Sequence, residues 1–194
     1  MRRYLKSMLV ALMVMLPSAL NAQEVQTFSR LGLGLSSVTD GHKTSNVYPN
    51  VDVIGDTRAI LPWGLLLSVQ VGLADRGYNG YWDGVRNYLW AHNVFAGLRP
   101  GYSLRLGSMN FRLDLMAGVH VSYDLWGREY YDGSSYSIWN VQDYNHFDFG
   151  VNACASLVIY NLELYFELRR GLRTMFKDNS VKSIVYAFGV GWDF

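Results

Sequence analysis

Residues 183–194 read Ser-Ile-Val-Tyr-Ala-Phe-Gly-Val-Gly-Trp-Asp-Phe. Ile184, Tyr186, Phe188, Val190, Trp192 and Phe194 share one parity; Ser183, Val185, Ala187, Gly189, Gly191 and Asp193 share the other. Successive side chains of a strand point to opposite faces, so this is an extended segment with one greasy side and one small or polar side.

Read the same way, the chain upstream holds seven more alternating segments, at 27–37, 50–60, 65–76, 88–106, 110–125, 144–159 and 162–174. Leu31, Leu33 and Leu35 alternate with Arg30, Gly32 and Gly34, and Val51 and Val53 with Asp52 and Asp56. Further on, Phe111, Leu113 and Leu115 alternate with Arg112 and Asp114, and Leu162, Leu164, Phe166 and Leu168 with Glu163, Glu167 and Arg169. Pro100 falls on the apolar parity of the fourth segment, where a missing donor predicts a bulge. The connections alternate in length: 38–49, 77–87 and 126–143 are long, while 61–64, 107–108 and 160–161 are turns, and 177–180 is intermediate.

At the start, Arg2, Arg3 and Lys6 precede the apolar run Met8 to Leu16, then Pro17, Ser18 and Leu20-Asn21-Ala22. A basic head, a short greasy core and a small residue describe a secretory signal peptide over 1–22, leaving one domain at 23–194. The core has about half the ~20 residues that a spanning helix needs. Past it no stretch reaches 18 consecutive apolar residues, which leaves strands to do any crossing. The chain has 17 Lys+Arg and 16 Asp+Glu, and setting aside Arg2, Arg3 and Lys6 leaves 14 basic residues, a balance that offers nucleic acid no basic surface. Cys154 is the single cysteine, so no internal disulfide forms.

Strands of this number and length, short turns at one end and long loops at the other match a tilted spanning barrel. The expected fold is all-β, an eight-stranded antiparallel up-and-down transmembrane β-barrel. Trp63, Trp192 and Phe194 would gird the short-turn rim and Tyr88, Trp90 and Tyr123 the other. The segment 183–194 resembles the closing strand of bacterial outer-membrane barrels. In those proteins a terminal aromatic belongs to the signal read by the barrel-insertion machinery, and here Phe188, Trp192 and Phe194 take that place. The whole chain resembles the small barrels of OmpA-like size, and in segments 111–123, 145–150 and 164–171 the PorT-like family. The resemblance implies a Gram-negative outer membrane, lipid and lipopolysaccharide as surroundings, and a surface or secretion-apparatus protein as partner. A soluble lipocalin-like carrier, with the apolar parity turned inward, is the alternative that alternation leaves open.

With the apolar parity toward lipid, the lumen receives Arg30, Arg58, Arg76, Arg99, Arg105, Arg112, Arg169 and Arg173 against Asp52, Asp56, Asp114, Asp124, Asp148, Glu163, Glu167 and Asp193. An eight-stranded interior is just wide enough for side chains to fill it, so these charges are expected to pair into a plug. Turning the chain at 160–161 sets Asn152 opposite Arg169, Cys154 opposite Glu167 and Asp148 opposite Arg173. Turning it at 107–108 brings Asp114 within diagonal reach of Arg99.

Two chemistries are weighed. His120, Ser122, His146 and Asp148 could spell a serine-histidine-aspartate constellation, with Ser122 near His146, and a lipid A-modifying enzyme is the second functional alternative. All four share the lumen parity, where acyl chains have poor access, so the expectation is an interior hydrogen-bond network and no enzyme. His42, His92, His120 and His146 are dispersed, so neither a metal site nor a cofactor is expected. The expected recognition surface is in the outer loops: Tyr78, Tyr81 and Trp82 in the second, Trp126, Tyr130, Tyr131, Tyr136 and Trp139 in the third. The functional expectation is a monomeric structural or interaction protein of the cell surface.

Overall fold

The computed structural model describes residues 24–39, 45–82, 85–107, 111–177 and 180–193. The segment 1–22, His42 and Phe194 lie outside them, as do the side chains of Tyr81 and Trp82. Among the described residues nine strands appear: β1 (Glu24–Thr39), β2 (Tyr48–Ile60), β3 (Leu65–Trp82), β4 (Val85–Arg105), β5 (Phe111–Tyr131), β6 (Ser134–Ser137), β7 (Phe147–Ile159), β8 (Leu162–Thr174) and β9 (Lys182–Asp193). Each strand but β6 pairs antiparallel with a neighbour on both sides, and β1 pairs with β9, closing a ring of eight. The short β6 lies outside the ring, against the far end of β5.

The faces fall as the alternation requires. Phe149, Leu164 and Phe188 look outward, while Arg99, Asp114 and Glu167 are buried inside. A carrier with a greasy interior is therefore overturned, since the interior holds the charges. Glycine makes room where the wall is crowded: a Cβ on Gly32 would run into Asp52 and the Tyr165 hydroxyl. At the tight turn between β2 and β3, Trp63 takes a positive φ of 64° and stands 87% exposed at the rim.

Two sequence expectations of length need correction. The segment 77–87 is not a loop, because β3 and β4 run on as a paired hairpin from Gly77↔Trp90 to Trp82↔Val85. The segment 126–143 is likewise built: β5 continues to Tyr131 and folds back as β6, followed by a 3-10 turn at Ile138–Asn140. Once both partners of a hairpin continue, each added residue satisfies its backbone groups on the other strand, so pairing outruns the apolar band. Pro100 makes no bulge. It only interrupts the β4–β5 ladder between Leu98↔Val119 and Gly101↔Met116, and the register shift lies instead between His92 and Asn93.

Candidate functional site

Three guanidinium groups from separate strands, Arg30, Arg58 and Arg99, converge inside the barrel on Asp56, Asp114, Glu163 and Glu167. All seven side chains have 0% exposure. Arg30 grips Glu163 with two bonds, Nε to Oε2 at 2.8 Å and Nη2 to Oε1 at 2.5 Å. Arg58 donates through Nη1 to Asp114 at 2.8 Å and through Nε to Asp56 at 2.9 Å, and also meets Glu163. Arg99 joins Asp56 at 2.9 Å to Glu167 at 3.0 Å. An unpaired charge in such a place would be costly; here each is answered by opposite charges and hydrogen bonds. The planar fork of arginine serves two carboxylates at once, which a lysine would not. Ring faces complete the setting: Arg30 lies 4.4 Å from the Tyr165 centroid and Arg58 4.6 Å from that of Phe28.

The knot extends both ways along the axis. Toward the short turns, Arg112 holds Asp114 at 2.9 Å and Glu24 at 3.1 Å. Toward the long hairpins, Arg169 reaches Asp52 at 2.5 Å, and Arg76 bridges Asp124 and Asp148, the latter at 3.0 Å. The expected opposition of Asn152 to Arg169 and of Cys154 to Glu167 is the register found. Two other expected pairs are not. Asp114 is held by Arg58 and Arg112, and Arg99 by Asp56 and Glu167, because the β4–β5 register sets Asp114 opposite Ser103, out of diagonal reach of Arg99. Arg173 is not in the lumen. A register irregularity between Arg170 and Thr174 turns it outward over the Phe147 ring at 5.9 Å, and its backbone N–H meets Asp148. Arg105 is an exposed rim residue paired with Glu24 at 2.7 Å, and half-buried Asp193 accepts from the Thr27 amide. The buried set is thus Arg30, Arg58, Arg76, Arg99, Arg112 and Arg169 against Asp52, Asp56, Asp114, Asp124, Asp148, Glu163 and Glu167. The interior charges nearly cancel.

Sequence reasoning missed what lies above the knot. Val38, Tyr78, Leu89, Ala91, Ile138, Tyr144, Met175 and Val181 form an apolar cluster at the mouth of the long hairpins, with Ile138 at 0% exposure. Leu89 and Ala91 sit on the lumen parity of β4, which was the available signal for a greasy layer there. Tyr144 donates to Asp124 at 2.5 Å, tying this cap to the charges beneath, and burial pushes its phenol up. Tyr78, expected on a recognition loop, belongs to the cap and is buried.

The other aromatic residues ring the outside of that mouth. Tyr130 stacks on Tyr88 at 4.2 Å, and Trp126 packs 4.7 Å from His92. Trp139 stacks on His146 at 4.0 Å and donates its indole N–H to the Leu125 carbonyl. Tyr131 and Tyr136 are exposed on the β5–β6 hairpin. The hydrolase constellation does not assemble. Ser122 stands opposite Asp148, His120 opposite Gly150, and His146 has gone to the outer aromatic stack, so no hydrogen bond joins Ser122 to a histidine among the described residues. The adjoining cavity, lined by Arg76, Asn93, His120, Ser122, Asp148 and Arg169 among others, measures about 20 Å³. That is room for a water molecule and far too little for an acyl chain.

Comparison with known proteins bears on the architecture. Neisserial surface protein A shares 13% identity, with 89% of this chain and 100% of that one covered and a TM-score of 0.50. The chain has the fold of a small outer-membrane β-barrel. Ail of Yersinia pestis aligns with 15% identity over 89% of this chain and 100% of its own, at a TM-score of 0.45. The N-terminal barrel of Pseudomonas aeruginosa OprF gives 12% identity, 88% and 100% coverage, and 0.42. No family model and no curated protein matches the chain. At these identities what is shared is the fold.

Proposed function

We propose that this protein is a monomeric outer-membrane β-barrel whose lumen conducts nothing, and that it serves as a structural or interaction protein at the cell surface, without enzymatic activity. The observation that carries the reading is the knot of Arg30, Arg58 and Arg99 with Asp56, Asp114, Glu163 and Glu167, sealed from solvent. The outward wall of Val, Leu and Phe supports the location, since so continuous an apolar belt suits hydrocarbon and not water. On this reading residues 1–22 are removed at export, and Phe188, Trp192 and Phe194 present the insertion signal. The aromatic rim around Trp126, Tyr130, Tyr131, Tyr136 and Trp139 is the surface offered to lipopolysaccharide or a partner protein. Membership of the PorT-like group, with a part in secretion or surface assembly, is the finer form of the same proposal.

The test is electrical and biochemical. Protein purified from the outer-membrane fraction and reconstituted in planar bilayers is expected to pass no unit current. Steady large conductance steps would overturn the closed lumen, and recovery of the chain from the soluble periplasm would overturn the location.

A further inference from the structure

The wall carries cations where lipid-facing strands should carry none. On the positions of β7, β8 and β9 that strict alternation turns outward, every described residue is apolar or aromatic except Arg170, Lys182 and Thr174. Arg170 sits on the same parity as Leu164, Phe166 and Leu168, so its side chain leaves the barrel on the lipid side. It pairs with Ile184, and Lys182 pairs with Thr174, which puts Lys182 diagonally across from Arg170. The register irregularity adds a third charge. It leaves both Leu172 and Arg173 exposed, so Arg173, which unbroken alternation would aim at Asp148, points away from the lumen and lies over Phe147. Asp148 is served without it, by Arg76, the Ser183 hydroxyl and the Arg173 amide. Spared that duty, the guanidinium lies against the Phe147 ring on the outer surface.

Among the described residues none of the three cations has a carboxylate partner, whereas nearby Lys177 is paired with Asp143. Their height is also telling. At roughly 3.3 Å per residue and a tilt near 40°, the rise from residue 162 to residue 170 is about 20 Å, against an apolar band of about 25 Å. Arg170 therefore lies near the outer edge of the band, with Arg173 and Lys182 just above it. A charge on the lipid face is tolerated at that depth and penalised at the midplane. Three cations at the interface, on a face of β7, β8 and β9 that shows no acid among the described residues, are matched in sign and position by lipid phosphate. Arginine's fork gives two of them the geometry to hold it.

Resting on the outer-membrane reading above, we infer that Arg170, Arg173 and Lys182 form a binding site for the phosphorylated headgroup of an outer-leaflet lipid, whose acyl chains would lie along Phe149, Leu168 and Ile184. The site is on the outside of the barrel, away from both the knot and the aromatic rim at Tyr130 and Trp126.

The experiment is native mass spectrometry of the detergent-solubilised full chain titrated with bisphosphorylated lipid A, with fully dephosphorylated lipid A and with inorganic phosphate. Wild type should retain the bisphosphorylated lipid at least about tenfold better than a R170Q/R173Q/K182Q variant, a conservative figure for three interfacial cations. The dephosphorylated lipid should not separate the two proteins, and inorganic phosphate at matched concentration should not compete. R86Q/R128Q, which removes two exposed cations elsewhere on the outer rim, should bind like wild type. Equal retention by the triple variant, equal loss in R86Q/R128Q, or full competition by inorganic phosphate would overturn the site. The single variant R173Q, whose side chain has no lumen contact, supplies a folded comparison should the triple variant assemble poorly. Retention equal to wild type in that variant would count against the proposal. Barrel folding is read separately, by heat-dependent migration on gels, so loss of lipid with a folded barrel is distinct from failure of the outer-membrane reading.

Discussion

Arg30 of β1 and Glu163 of β8 clasp each other inside the barrel over Gly191 of β9, the strand that separates them in the wall. The bond therefore spans an intervening strand and is no part of any hairpin. Glu163 is also met by Arg58, so one carboxylate restrains two cations. Glu163→Gln should leave both underneutralised and cost about 3–5 kcal/mol, the usual penalty for breaking a buried pair. Urea titration of the folded barrel in detergent measures it. Arg30→Met/Glu163→Gln should be less than additive, because the two residues share one network. A loss below about 1 kcal/mol in Glu163→Gln would mean the knot is wet.

Cys154 lies within the same knot, its sulfur 3.7 Å from Arg30 Nη2 and its side chain buried. A bulky maleimide should leave it unlabelled in the folded barrel and modify it promptly in denaturant. Mass spectrometry before and after unfolding distinguishes the two. Rapid labelling of the folded protein would reveal a passage through the lumen.

Ile138 is the residue that the outer hairpin inserts into the mouth of the barrel. Ile138→Ala should destabilise the protein by about 2–5 kcal/mol, as expected for a buried isoleucine. It should open no current in a planar bilayer, because the charged layer beneath is unaffected. If that variant alone conducts, the cap and not the knot is the barrier.

Tyr144 lies beyond the spanning strands, and burial holds its phenol protonated above the ordinary range. Unfolding releases it to titrate near pH 10, so above that pH the folded state binds more protons and stability falls as pH rises. Tyr144→Phe removes that contribution. The difference in stability between wild type and variant, followed by urea titration from pH 9 upward, should shrink with increasing pH. A constant difference would show that the hydroxyl is in contact with water.

The wall of the barrel was legible because one rule, alternation, decides each position along it. Leu31 against Arg30 or Leu164 against Glu163 needs no knowledge of the neighbours, and tight turns such as Tyr160-Asn161 then fix the register of Asn152 with Arg169. The interior was harder. A turn read at 107–108 sets Asp114 opposite Gly101, whereas the strands pair Asp114 with Ser103, and which carboxylate Arg99 then reaches inside the barrel is not written in sequence spacing. Arg173 was misplaced because the register irregularity between Arg170 and Thr174 turns that one position outward. The outer cap was missed for another reason: Ile138 comes from the connection between β5 and β7, and Met175 and Val181 from the one between β8 and β9, where no period links them. The composition of 77–87 and 126–143, rich in Gly, Tyr and Ser, reads as loop, although the backbone of both segments continues the sheet.

The seam between β1 and β9, from Phe28↔Asp193 to Thr39↔Lys182, gives the wall no free edge along its spanning length. A guest polypeptide finds no vacant row of amides there on which to zip itself. Companions in the bilayer must be chosen by shape and charge, stave against stave. The ring also has no half that could stand alone, since neither flank is finished until the last stave arrives to meet the first.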